Sequence, residues 1–409
     1  MQTEKDLRME YHFNDLPQDI LVELEHTFHK ELFSTFMKSK GLKSKISLGD
    51  ALNIPPWKAP RLIDGENRIS VGLLELLRLS CQNIDAEKFS SENVEKNISS
   101  LGTHADKRVH SPKFPFRLAD LVYVYSHLIF DGSARRKGTY FMAAENELLK
   151  YHRNRLQDFG KVETNFIEKE KQLYIPWVLA YLVKKIFSVN SFKSLGAIIP
   201  SELKNIAIDK KEIANEIIKA AIIDEGWVED KISFAISNEK LCKDIWEIAK
   251  AHYGVGNFPE KPRERIGITG KKVSEWRWII LSKSMKDFYE NIELPLSHKQ
   301  ERVKFAVKRQ SREWYKRKPN ETKKLIIQSL LKSPKSIKEL SFELNVRTTS
   351  ILNLINGIHC RTQNTDGLKD YEIIGILEYR TNTKGERTGK FPIYYVIDKD
   401  KAEEFVKNN

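Results

Sequence analysis

Apolar positions dominate two runs of this chain. In "RLADLVYVYSHLIFDG" (117–132) they leave almost no polar face, as expected of a buried helix. "KEIANEIIKAAIIDEG" (211–226) has the same character and the same ending, an acid followed by glycine. The spacing after each run predicts the same series of elements. The first copy continues with a strand in "KGTYFMAAE", an amphipathic helix in "NELLKYHRNRLQDFG" closed by Gly160, a hairpin in "KVETNFIEKEKQLYIPW" and a helix in "VLAYLVKKIF". The second continues with "DKISFAIS", then "NEKLCKDIWEIAKAHYG" closed by Gly254, then the hairpin "ERIGITGKKVSEWRWIILS" and the helix "KSMKDFYENI". Identity between the copies is low, so the repeat is one of pattern.

The flanks follow another layout. "SLGDALNIPPWKAPRLIDGENRISVGLLELLRLS" reads as a short helix to Leu52, a turn, and a second helix from about Pro56 carrying Trp57, Lys58 and Arg61. Gly65 stops that helix, and a third apolar one follows. The polar stretch "AEKFSSENVEKNISSLGTHADKRVHSPKFP" lacks apolar periodicity and is expected to be a linker. At the other end, "ETKKLIIQSLLKS", "SIKELSFELNV" and "RTTSILNLINGI" predict three helices, with Ser336 and Thr348 or Thr349 as caps. "YEIIGILEYRTNTKGERTGKFPIYYVID" then predicts two strands around a basic tip with Lys384 and Arg387. The expected class is α+β. A helical helix-turn-helix-like domain with its linker takes 1–112, and a two-repeat core 113–318 (repeats 113–189 and 190–297, basic helix 298–318). A winged-helix domain takes 319–409.

Charge adds direction. The 409 residues have a net charge of +13 and a pI near 9.3, which favours a polyanionic partner. The segment Lys299 to Lys318 contains nine Lys or Arg against two acids, and Lys308, Arg309 and Arg312 are expected to contact phosphates. Three scattered cysteines without a CxxC pair exclude a zinc ribbon and a disulfide framework. No HExxH occurs, no apolar run is long enough for a membrane span, and "MQTEKDLRME" is too polar for a secretory signal. A soluble intracellular protein, cytoplasmic and associated with the nucleoid, is expected.

The acids at the two helix ends are the feature that composition leaves unexplained. A helix C-terminus disfavours a carboxylate by roughly 0.3–1 kcal/mol, yet Asp131 and Glu225 each stand there, before the glycine expected to make a left-handed closing turn. The nine residues "VYSHLIFDG" and "IKAAIIDEG" resemble the signature helices of the LAGLIDADG homing endonucleases, over a resemblance spanning about 116–318. That resemblance implies two helices side by side on a pseudo-twofold axis, with Ser126 and Ala220 as the small residues that allow close approach. Asp131 and Glu225 would then meet and share Mg²⁺ or another divalent cation, with Asp224 as an alternative ligand. It further implies phosphodiester hydrolysis by metal-activated water and a staggered break in double-stranded DNA. Lys283, or else Lys286, would serve the second centre, while the first copy offers no lysine at the matching place.

The hairpins would form a saddle on the DNA. Arg135, Arg136 and Lys137 would lie beside the metal, and Lys271, Lys272 and Arg277 in the second hairpin, with Trp276 and Trp278 packed beneath it. Lys58, Arg61, Arg347, Lys384 and Arg387 would make the flanking contacts. Tyr125, Lys219 and His127 depart from the signature; the Met start and "VKNN" ending lack the intein pattern, so a free-standing protein is expected, and the two-copy core predicts a functional monomer. Helix-turn-helix and winged-helix flanks also resemble the layout of WhiA-type bacterial regulators, in which a LAGLIDADG-like scaffold no longer cuts. RNA binding or intron maturation on the same saddle is a third reading.

Overall fold

The computed structural model describes residues 7–55, 57–104, 107–135, 138–193, 196–229, 231–266, 272–310, 320–360, 363–381 and 390–408. They form a mixed α+β fold of several small sheets and many helices. The first part holds β1 (Glu10–Tyr11), β2 (Leu21–Leu24), α1 (His26–Ser39), α2 (Lys45–Ala51), α3 (Ala59–Ile63), β3 (Ile69–Ser70), α4 (Val71–Gln82), α5 (Ser91–Lys96), β4 (Ile98–Gly102) and β5 (Val109–His110). The middle holds β6 (Phe116–Arg117), α6 (Leu118–Ile129), β7 (Tyr140–Met142), α7 (Asn146–Leu156), β8 (Lys161–Val162), β9 (Asn165–Ile167), β10 (Gln172–Tyr174), α8 (Trp177–Ile186), α9 (Ser201–Asp209), α10 (Lys211–Asp224), β11 (Gly226–Val228), β12 (Ile232–Ile236), α11 (Glu239–His252), β13 (Arg263–Ile266), β14 (Lys272–Ile280), α12 (Met285–Asn291) and α13 (Ser297–Gln310). The last part holds α14 (Glu321–Lys332), β15 (Lys335–Ser336), α15 (Ile337–Leu344), α16 (Thr348–Asn356), β16 (Ile358–Cys360), β17 (Gln363–Thr365), β18 (Ile374–Thr381), β19 (Lys390–Val396) and α17 (Lys399–Asn408).

The stretch expected to be a linker is structured. It forms α5, β4 and β5, and it buries Phe89, Val94, Ile98 and Leu101. These strands are too short for alternation to show, and their apolar residues stand singly among polar ones. The resulting sheet runs β3-β2-β4-β5-β8, so a boundary at 112/113 is crossed by the β5–β8 pairing and again by β1 against β6. One continuous core, from Tyr11 to Ala306, serves both regions. Trp57 and Lys58 precede α3 rather than belonging to it, with the ammonium of Lys58 5.1 Å from the indole. Gly65, at a φ of 78°, ends α3 as its sequence position suggested.

All twelve residues of α6 are buried, and α10 packs along it. After α6, Ser133 bridges to Tyr140, and the sheet continues in the order β7-β10-β9. After α10 the sheet order is β11-β12-β14-β13. On β14, Trp278 is buried against Phe234, and Trp276 stacks on Phe258 with ring centroids 5.6 Å apart. Both tryptophans therefore face the core, which is the packing role expected of them.

The C-terminal elements enclose a separate core that includes Ile326, Leu340, Ile351 and Tyr394. Their sheet runs β15-β19-β18, and β16 and β17 form a small hairpin. Ser336 caps α15 in a capping box with Glu339. Thr348 does not cap α16, because Arg347 holds the cap position and Thr348 is the first helical residue. Phe305 of α13 stacks on Phe342 of α15 at 5.2 Å, joining this unit to the rest.

Candidate functional site at the converging helix ends

The C-terminal ends of α6 and α10 meet. His127, in the last turn of α6, contacts the final residue of α10, with its Nδ1 2.8 Å from Asp224 Oδ2. Both side chains are almost wholly buried. Burial lowers the imidazole to about 3 and raises the Asp224 carboxyl well above its ordinary range, an effect that Lys299 opposes. Both groups are thus driven toward their neutral forms. The contact is a buried hydrogen bond between Nδ1 and the carboxyl of Asp224.

Lys299, from the first turn of α13, supplies the cation of the site. Its Nζ donates to the carbonyl oxygens of Ile222 (2.8 Å), Ile223 (2.8 Å) and Gly226 (2.9 Å). Those are orphan acceptors at the end of α10, where the helix dipole favours a positive charge. Burial pulls the Lys299 ammonium down, and Asp224, Glu145 and Asp131 push it back up. On the other helix end, Asp131 keeps its outer edge in water. Partial burial and the nearby Asp224 still raise its carboxyl to about 6, with Lys299 opposing the rise.

The two glycines have a different role from the one their sequence position suggested. Neither Gly132 nor Gly226 adopts a left-handed φ. Both are required by close approach instead. A Cβ on Gly132 would lie 2.6 Å from the His127 oxygen and 2.8 Å from the Leu128 Cα, and one on Gly226 would lie 2.6 Å from the Ile222 Cα. In each case the crowded Cα is four residues back along the helix.

A buried polar network runs from this site along α6. His152 of α7 packs edge-on against His127 at 4.7 Å, and its Nδ1 is 2.8 Å from the Tyr123 hydroxyl. The other nitrogen of His152 faces the Met142 carbonyl at 3.3 Å, so Nε2 donates there and Nδ1 accepts from Tyr123. Arg155 lies over the Tyr123 ring at 5.0 Å and pairs with Asp120 and Glu216, each at 3.3 Å. Lys219, one of the departures from the signature, sits over the Tyr151 ring at 4.9 Å. Tyr125, another, donates to the Ile198 carbonyl.

The remaining site expectations divide clearly. Glu225 is the C-cap residue of α10 and half-buried, and the carboxyl that perturbs Asp131 is that of Asp224. Lys283 lies against Gly254 and is not among the groups acting on Asp131 or Asp224. Lys286 is exposed beside Glu290. The lysine at the helix ends is Lys299, which the sequence had placed on a phosphate-contacting face. Arg302 is exposed but also ties α13 to the core, donating to the Val228 carbonyl at 3.2 Å.

Arg277 lies on the β14 face opposite Trp278, its guanidinium 4.5 Å from the Trp227 ring and 3.0 Å from Ser233 Oγ. Arg135, Lys272, Lys308 and Arg347 are exposed, and Arg61 faces Glu66 at 3.8 Å. Arg309 belongs to α13. Arg136, Lys137, Lys271, Arg312, Lys384 and Arg387 lie outside the described residues. Sequence reasoning missed Lys299 because it is 77 residues from Ile222 and sits inside a basic run. For Asp224, the neighbouring Glu225 offered a better fit to the signature.

A divalent ion joining the two ends would need several oxygen ligands converging on it. Among the described residues, no group of three or more His, Cys, Asp or Glu is so placed. Asp224 is engaged with His127, and the acceptors at the end of α10 are taken by Lys299. The residues present do not fit a bound divalent ion.

No protein-family model matches the chain, and no curated protein matches it. Among the described residues, no helix is long and apolar enough to cross a membrane.

Proposed function

We propose that this chain is a double-stranded-DNA-binding protein of the regulator type, built on a two-copy LAGLIDADG-like core that grips DNA without cutting it. The observation that carries the reading is a repeated sheet order. Ser133, β7, β10 and β9 follow α6 in the same succession as β11, β12, β14 and β13 follow α10. The helices after them correspond too, α7 with α11 and α8 with α12. The sheet faces turned away from the core present Tyr140, Gln172 and Tyr174 in one copy and Trp227 and Arg277 in the other. Polar, aromatic and cationic groups of this kind suit a groove and its phosphates, and the net charge of +13 supplies the long-range attraction.

The C-terminal unit supports the same reading. Three helices, a β15-β19-β18 sheet and a connection between β18 and β19 are the parts of a winged helix, with Arg347 at the start of α16. The absence of cutting rests on the helix ends, where Lys299 takes the acceptors of α10 and Asp224 is engaged with His127, leaving no fit for a divalent ion. A hydrolytic reading is favoured by one observation, namely that Asp131 and Glu225 each precede a glycine in the same register. With both copies in one chain, the protein would act as a monomer on intracellular DNA.

Fluorescence anisotropy with labelled duplex DNA at rising salt tests this. We expect log K to fall linearly with log salt, at roughly 0.9 per phosphate neutralised. A chain that ignores duplex DNA, or prefers structured RNA, would sink the reading.

A further inference from the structure

We propose that Lys299 is the resident cation of the helix-end centre, standing where a divalent ion would otherwise join the two ends, so that the site takes metal only when that side chain is removed. An ammonium has three N–H donors. At Lys299 all three are matched, by the carbonyls of Ile222, Ile223 and Gly226 at 2.8, 2.8 and 2.9 Å. Its coordination is complete without water or an incoming ligand. Asp224 and Asp131 both act on it electrostatically, Asp224 the more strongly.

The side chain is also held from outside the helix pair. The N–H of Ser297 donates to Glu147 at 2.9 Å, His298 faces Glu145 at 3.5 Å, and Arg302 donates to the Val228 carbonyl. The start of α13 is therefore fastened to both halves of the core, to the residues at the start of α7 and to β11. Truncating Lys299 would free three carbonyl oxygens at the end of α10, within electrostatic reach of the Asp131 and Asp224 carboxyls. That is the all-oxygen set preferred by Ca²⁺, Mg²⁺ or Mn²⁺.

The test uses the full chain, with thermal unfolding in EDTA, Mg²⁺ or Ca²⁺ and Mn²⁺ binding followed by electron paramagnetic resonance. For the wild type we expect the same Tm in all three conditions and no Mn²⁺ bound that Asp131→Asn removes. For Lys299→Ala we expect a lower Tm in EDTA, recovered in Ca²⁺ by about 4 °C or more. Metal-dependent stabilisation of the wild type that Asp131→Asn abolishes overturns the proposal, as does a Lys299→Ala protein that unfolds as the wild type does and ignores metal. Should Lys299→Ala not fold, the wild-type Mn²⁺ titration decides alone. Anisotropy on the same samples separates this from the DNA reading, because either can fail while the other holds.

Discussion

The ends of α6 and α10 are built alike and finished differently. Each reaches an acid and then a glycine pressed against the helix four residues back. At α10 the last carbonyls hold an ammonium, and the last carboxyl is buried against His127. At α6 the carboxylate of Asp131 faces water. One shared ammonium serves both ends and is seated on only one of them. The backbone thus obeys a near-twofold rule while the electrostatics do not. An acid at a negative helix end is tolerable here because the compensating charge comes from a distant part of the chain.

Breaking the backbone likeness should have the largest effect. Gly226→Ala and Gly132→Ala each place a Cβ 2.6 Å from main-chain atoms, which cannot yield as a flexible side chain would. Each should cost roughly 2–3 kcal/mol, measured by urea unfolding. A near-neutral result for one of them would end the claim that the two turns share a geometry.

The next effect sharpens the electrostatic difference. In Asp224→Asn the amide can still hydrogen-bond His127 Nδ1, so the change should cost less than about 1 kcal/mol, whereas Asp224→Ala should cost roughly 2–3. A loss from Asn as great as from Ala would mean that the charge of the carboxyl, not its hydrogen bond, holds the contact.

The smallest effect is one of pH. The Asp131 carboxyl rises from an ordinary value of 3.8 to about 6 in the folded chain. The folded state then holds that proton more tightly than the unfolded state does. The resulting stabilisation is full below about pH 4 and is lost as the pH climbs through about 6. Asp131→Asn, which cannot lose a proton, should melt about 1–2 °C above the wild type at neutral pH, with the gap closing toward pH 4. Calorimetry over that range gives the answer, and a gap that widens in acid would reverse the sign of the account.

How much of this was legible in the sequence depended on distance along the chain. The two apolar helices, the amphipathic helices after them and the paired tryptophans were readable because the signal lies within a few turns or alternating positions. Ser336 and Glu339 were readable for the same reason, being a cap and its partner three residues apart. The β4 and β5 segment was not, since the two short strands pair with each other over only two positions and otherwise with the distant β2 and β8. Lys299 was the most hidden, because a buried lysine and a solvated one look identical in a basic run. Its inward direction is fixed by Val303 and Ala306, which bury their side of α13.

The central claim is a DNA-gripping core whose helix ends do not cut. The most direct measurement is Mg²⁺-dependent nicking of a plasmid library, scored beside binding in the same reactions, with Asp131→Asn and Glu225→Gln run in parallel. The account predicts salt-sensitive binding and intact plasmid for all three proteins. A staggered break made by the wild type, with one strand's cut lost in each variant, would contradict it.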